Sequence, residues 1–188
     1  MDRRPATTIL VGGGGGGIFW YSAWFSCLEL NLPFNGCLAS EARQAVGSKS
    51  ASDWTMIVPD LLYERELLRE NGPYLRSLGL GVVELSPDEV TLAQQVRRQR
   101  PSVSLADCFA LSCTLRPDHT LLTGDKALRQ EVRARNGRVY GLLWLLDRMH
   151  QTGTSATALS DGVTKILAHA RCRLPRAEAQ ARLNLWKS

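Results

Sequence analysis

The sequence predicts an α/β fold, a three-layer α/β/α sandwich around a mainly parallel sheet. Three observations carry that expectation. From about residue 55 onward, apolar runs of strand length alternate with segments of helix length. The helix-length segments open on capping residues, with Ser, Pro or Asp at the right offsets. At 188 residues, with 44% hydrophobic and 22% charged side chains, the chain can bury the core of one globular domain. We take 1–188 as a single domain, within which 12–54 is an atypical Gly- and aromatic-rich segment.

The elements follow in order. Ile9 to Val11 is a short strand-like apolar run, and six glycines, Gly12 to Gly17, come directly after it. Trp20, Trp24, Phe25 and Phe34 then follow without helical or strand period, and "VGSKSASD" from Val46 is a polar stretch. "TMIVP" (55–59) reads as a buried strand leading into a helix from about Asp60 to Glu70, which Asn71-Gly72-Pro73 stops. "LGVVEL" (80–85) is a second strand. Ser86, Pro87 and Glu89 then form a capping box with proline at the first helical position. "SLADCFALSCTL" (104–115) is a capped apolar helix, "HTLLT" (119–123) a strand, "KALRQEVRAR" (126–135) a helix and "GRVYG" (137–141) a strand. Helical segments near 142–151, 156–170 and 175–186 complete the chain. No internal repeat is present.

Charge and cysteine usage narrow the class. The excess of 23 Lys+Arg over 18 Asp+Glu gives a net charge of +5, which tolerates a phosphate-rich partner without demanding one. Five cysteines (Cys27, Cys37, Cys108, Cys113, Cys172) contain no C-x-x-C pair, and Cys108 and Cys113 fall in apolar stretches. They read as reduced core residues of a cytoplasmic protein. No apolar run reaches the roughly 18 residues that span a bilayer, and the N-terminus makes a poor signal peptide.

In open α/β sheets, sites gather beyond the carboxyl ends of the strands. Three acids are expected there: Glu64, one turn into the helix after strand 55–59; Asp107, in the first turn after Ser104; and Asp125, just after strand 119–123. Each has a plain structural reading. Glu64 can be a solvated helix residue, Asp107 can complete a cap, and Asp125 can be an N-cap. Taken together, three converging carboxylates repel one another and persist most readily around a cation. Hard oxygen ligands suit Mg²⁺ or Mn²⁺, and such a site activates water and stabilises charge in phosphodiester cleavage.

"VPDLLYEREL", "SLADCFALS" and "LLTGDKALR", in this order and spacing, resemble the PIN domain. "GLLWLLDRM" and "RLPRAEAQARL" resemble a bacterial subgroup related to the VapC toxins, so the likeness covers about residues 55–186. The resemblance implies an α/β/α fold, metal-dependent ribonuclease activity on RNA and neutralisation by an antitoxin protein. It places Glu64, Asp107 and Asp125 as catalytic and metal-holding acids, with Thr123 as a supporting polar neighbour. It also implies a strand-terminal aspartate as first metal ligand. "TTILV" looks like that strand, yet Gly12 follows it, and neither Asp2, Glu29 nor Asp53 matches the expected position.

The glycines admit other readings. Gly12, Gly14 and Gly17 formally satisfy a dinucleotide fingerprint, but any six glycines do, and glycine costs about 1 kcal/mol per helix residue relative to Ala. A phosphate-cradling nest and a flexible loop are two more. A slipped reading frame across six GGN codons is the last, tested by sequencing the source DNA.

Arg97, Arg98 and Arg100 cluster at one helix end, and Lys126, Arg129, Arg133 and Arg135 line another helix. Dipole complementation explains part of this. Lys126, Arg129 and Arg133, starting beside Asp125, are the candidate RNA-binding face. Trp144 in "GLLWLLDRM" is expected in the core, or else at a homodimer face. The rival to the nuclease is a catalytically inactive PIN-like module that binds a protein partner. A more remote rival is a nucleotide-binding protein that uses the glycine loop.

Overall fold

Parallel strands cannot be joined by a tight hairpin and need a crossover connection, usually a helix; among the described residues helices stand between the later strands. The computed structural model describes residues 7–11, 54–69, 72–77, 80–151, 153–168 and 174–187. The central strand β1 (Thr7–Val11) is flanked by β2 (Trp54–Pro59) and β4 (His119–Leu122), with β3 (Gly81–Val83) and β5 (Val139–Tyr140) at the edges. The order is β3-β2-β1-β4-β5, and every pairing is parallel. Leu10 pairs with Ile57 on one side and Leu121 on the other, and Val11 pairs with Leu122. The mixed α/β class and the parallel sheet expected from the sequence are therefore present. The glycine run, the aromatics from Trp20 to Phe34, and Cys27, Cys37 and Cys172 lie outside the described residues.

The segment after β2 departs from a plain helix. One α-helical turn, α1 (Asp60–Leu62), passes into a π-helical turn over Tyr63–Leu67. The Leu68 N–H donates to the Tyr63 carbonyl at 2.8 Å, the five-residue hydrogen bond of a π turn. Asn71-Gly72-Pro73 does more than stop this helix. A second one, α2 (Gly72–Ser77), starts at Gly72, with proline in its first turn, where a missing N–H is harmless.

The next helices follow their caps closely. In α3 (Pro87–Gln99) the Ser86 hydroxyl accepts from the Glu89 N–H at 3.3 Å, and the Glu89 carboxylate accepts from the Ser86 N–H at 2.7 Å. The same carboxylate takes a two-pronged ion pair from Arg116, through Nε at 2.5 Å and Nη2 at 2.7 Å. Arg116 also donates to the Glu84 carbonyl at 2.8 Å, so one side chain ties β3's exit to the α3 cap. Helix α4 (Leu105–Thr114) packs against α3 and lies over β1, β2 and β4. Its Ala106, Cys108, Ala110, Leu111 and Cys113 are all buried. Both thiols are free, and burial pushes each up to about 11, as expected of small apolar residues.

Helix α5 (Lys126–Ala134) ends in a Schellman turn. Asn136 has φ 59°, its N–H donates to the Arg133 carbonyl at 3.0 Å, and the Gly137 N–H donates to the Val132 carbonyl at 2.9 Å. A side chain at Gly137 would strike the Val132 Cγ1 at 2.7 Å, so the chain can enter β5 here only as glycine.

The described residues fall into two compact units, the sheet with its helices up to Gly141 and the helices from Leu142 onward. In the second unit are α6 (Leu142–Gln151), α7 (Ala156–Ala168) and α8 (Arg176–Lys187). Arg182 of α8 grips the Asp147 carboxylate of α6 through Nε at 2.8 Å and Nη2 at 2.7 Å. Trp144 is half-buried rather than in the core, with the Arg148 guanidinium 5.8 Å from its ring centre. Leu142, Leu143, Leu145, Leu146 and Met149 take the buried face of α6 instead. Among the described residues no helix is long and apolar enough to cross a membrane.

The Arg116 ion pair holds the Glu89 carboxyl down at about 2, against an ordinary carboxylate value of 4.5. A depressed carboxyl stabilises the fold above its unfolded value and loses that contribution as pH falls through the folded one. Glu89→Gln is therefore expected to lower unfolding free energy by about 1–2 kcal/mol at pH 7. The gap to wild type should close as pH drops from about 4.5 toward 2. Urea denaturation at stepped pH checks both points.

Candidate functional site

β1 sits between β2 and β4, so the strand order reverses at β1, and in open α/β sheets sites gather at the carboxyl edge of such a switch point. Residues 60–67 follow β2 and residues 123–125 follow β4, so both segments emerge there. Helix α4 runs back toward the start of β4, which puts its first turn at the same edge.

Asp107 lies in that first turn and is only 2% exposed. The Ser104 hydroxyl donates to its Oδ2 at 2.7 Å and also accepts the Asp107 N–H at 3.1 Å. The capping role is thus real, but it uses one carboxylate oxygen only. Oδ1 is buried with no hydrogen-bond partner. Burial pushes the Asp107 carboxyl up to about 7; the Ser104 hydroxyl opposes this, while the nearby charges of Glu66 and Asp125 add to it.

The glutamate that faces Asp107 electrostatically is Glu66, not Glu64. Glu64 is exposed, whereas Glu66 is half-buried, with its Oε2 shielded and without a hydrogen-bond partner. Burial raises the Glu66 carboxyl, and the Arg65 charge opposes the rise. The sequence held a signal for this residue. Glu66 is four residues after Leu62, which is fully buried, and so shares its helix face, while Glu64 is two residues away and points elsewhere.

Asp125 is the N-cap of α5, its Oδ1 accepting from the Leu128 N–H at 2.7 Å. Thr123, 1% exposed, accepts the Asp125 N–H on its hydroxyl at 3.2 Å and fixes the turn between them. Asp125 therefore combines its capping role with a charge felt at Asp107. Among the described residues no three His, Cys, Asp or Glu side chains converge tightly enough to form a ready-made metal cage. What the edge does hold is two shielded, unpartnered carboxylate oxygens beside a third acid. That donor set fits a hard divalent cation better than it fits an empty interior.

The arginines divide into two groups. Arg97 donates to the carbonyls of Pro101 and Val103 and fastens the loop between α3 and α4. Arg100 and Arg135 each pair at 2.6 Å with the buried Glu131. These three act in the scaffold. Lys126, Arg129 and Arg133 follow at i, i+3 and i+7 along one side of α5, and among the described residues none of them is in an ion pair.

Compared with known proteins, the chain matches no family model and no curated sequence.

A carboxyl raised by burial weakens the fold as pH rises through its unfolded value, and the loss is complete above its folded value. In metal-free protein Asp107→Asn is therefore expected to raise stability by on the order of 2 kcal/mol at pH 8. The difference should vanish toward pH 4, below the usual Asp range. Thermal melts in EDTA at both pH values check the prediction.

Proposed function

We propose that the chain is a PIN-like nuclease, an α/β/α domain that hydrolyses RNA phosphodiesters with Mg²⁺ or Mn²⁺. The observation that carries this reading is the pair of shielded, unpartnered oxygens, Asp107 Oδ1 and Glu66 Oε2, at the switch point of a parallel sheet. Glu66, Asp107 and Asp125 would hold the cation. The chemistry such an ion supplies is a lowered pKa for water and charge neutralisation at the phosphate.

The chain's own residues do the rest. Ser104 fixes Asp107 through Oδ2 and leaves Oδ1 without a partner. Thr123 sets the turn that carries Asp125. Lys126, Arg129 and Arg133 span about 10 Å of helix rise, enough to hold successive phosphates of one strand beside the acids. By the VapC resemblance, an antitoxin protein would be the neutralising partner; the half-exposed Trp144 would serve a homodimer face, and the buried free thiols of Cys108 and Cys113 suit the cytoplasm.

One observation favours a second reading. The residue after Val11 is Gly12, where the resemblance implies an aspartate. A PIN-like domain that binds a protein partner without cleaving RNA has no need of that ligand.

Cleavage of mixed single-stranded RNA by the purified protein in Mn²⁺ separates the two. We expect cleavage that EDTA abolishes and that Asp107→Asn and Glu66→Gln each reduce at least about 100-fold, beyond the usual effect of outer-shell partners. Glu64→Gln should stay within about twofold, as surface substitutions away from a site do. Arg133→Ala should lower the slope of log affinity against log salt by about 0.7. No cleavage by folded protein in Mn²⁺ would sink the enzyme reading and leave the binding module.

A further inference from the structure

The π turn that carries Glu66 is braced from outside by α2. Gly72, the first residue of α2, is buried against it. A Cβ at Gly72 would stand 2.6 Å from the Leu67 carbonyl oxygen, 2.8 Å from the Leu67 carbonyl carbon and 2.8 Å from Tyr63 Cε2. Two of these three are backbone atoms, which cannot swing aside as the tip of a long side chain can. Only a bare Cα fits.

The place of the contact gives it meaning. The Leu67 C=O and the Leu68 N–H belong to one planar peptide unit, and that N–H makes the five-residue bond to the Tyr63 carbonyl at 2.8 Å. Gly72 therefore packs on the peptide unit that closes the π turn. Its other neighbour, Tyr63, supplies the acceptor. Arg76, four residues after Gly72 and on the same side of α2, sets its guanidinium 5.9 Å from the Tyr63 ring centre. Tyr63 is buried and Arg76 is exposed. Two residues of α2 thus clasp both ends of the turn. A π turn is less well bonded than an α turn, and this brace offsets the difference.

We propose that Gly72 and Arg76 are positioning residues for the cation site, acting through Glu66: the bare Cα of Gly72 lets α2 close on the Leu67–Leu68 peptide, and the turn so held keeps Glu66 in its place among the acids. The proposal rests on the divalent-cation reading given above and adds to it two residues that would not touch the ion. Charge and bracing make opposite claims for Arg76. As a cation near an acidic site it repels a divalent ion, so its removal would tighten binding. As part of the brace it holds the turn, so its removal weakens binding.

Titration of the full-length protein with Mn²⁺, followed by electron paramagnetic resonance of the free ion, reads the site without RNA or turnover. Gly72→Ala is expected to weaken Mn²⁺ binding about tenfold to a hundredfold, the range for residues that support a metal ligand. It should add nothing to the loss already present in Glu66→Gln, as for two changes that act on one interaction. Arg76→Ala is expected to weaken binding about twofold to fivefold, the loss of one exposed cation–π contact. Hydrogen exchange of the Leu68 amide should quicken in Gly72→Ala. Circular dichroism melts establish folding, and the exposed Arg76 position carries the test on its own where Gly72→Ala does not fold. Unchanged or tighter Mn²⁺ binding by Arg76→Ala, unchanged exchange at Leu68, or a Gly72→Ala loss that adds in full to that of Glu66→Gln overturns the positioning role and leaves the cation site standing. Absence of Mn²⁺ binding by the wild-type chain, or unchanged binding by Glu66→Gln, overturns the cation reading at Glu66 and the positioning role with it.

Discussion

The arrangement at the strand ends depends on the forced burial of Asp107. Helix α4 has little freedom to relieve that burial. Ala106, Cys108, Ala110, Leu111 and Cys113 are all in the core, with α3 on one side and β1, β2 and β4 on another. Fully burying one residue such as Leu111 is worth about 1.5–3 kcal/mol. Rolling the helix to wet one carboxylate would expose several such side chains at once. The core therefore wins, and the carboxylate adapts by moving its pKa to about 7 and by taking the Ser104 hydroxyl on one oxygen. A helix with a single-sided apolar stripe would have let the aspartate turn to solvent. The apolar surround of α4 is what makes Asp107 a buried acid and not merely a cap residue.

The π turn after β2 sets how far Glu66 is buried. In a regular α-helix, Leu62, Tyr63 and Glu66 share a face, and Leu67 falls toward its margin. Widening one turn to the five-residue hydrogen bond swings Leu67 back under the same face, so that Leu62, Tyr63 and Leu67 are all buried. Glu66 is thereby moved to the margin of that face beside Leu62, where it is half-buried, while Glu64 stays in solvent. The π turn is less well bonded than an α turn, and such turns are found often at functional sites. Here its local disadvantage is offset by the burial of Leu67.

Most of the framework was legible because it rests on local chemistry. Ser86, Ser104 and Asp125 each cap the helix their spacing promised, and the runs at 55–59 and 119–123 became neighbours of β1 through period and position alone. A position one turn after strand 55–59 points to Glu64; the structure leaves Glu64 exposed and brings the half-buried Glu66, on the face of Leu62, close to Asp107 in charge. The arginine clusters were legible as charge but not as partners. Nothing local told that Arg100 and Arg135 would converge on Glu131, since those three residues meet only after α3 and α5 are placed. Trp144 was misplaced for a similar reason. In "LLWLL" four leucines compete for the buried face of α6, and the indole, flanked by Arg148, takes the half-exposed side.

The same electrostatics bear on the glycine that follows β1. Val11 pairs with Leu122, so the backbone of β1 ends level with the strand that leads to Thr123 and Asp125. Asp107 already feels the charges of Glu66 and Asp125, and that repulsion adds to the cost of its burial. A fourth carboxylate at this edge would deepen the repulsion unless a cation offset it, and would make the metal-free protein less stable near neutral pH. The sequence has glycine, not an acid, after Val11. On the nuclease reading proposed above, that costs one hard ligand and spares the metal-free protein one more repulsive charge, a compromise between function and fold. Asp107 Oδ1 and Glu66 Oε2, with Asp125 beside them, would then be the oxygens left to a cation that completes its shell with water and phosphate, as Mg²⁺ commonly does.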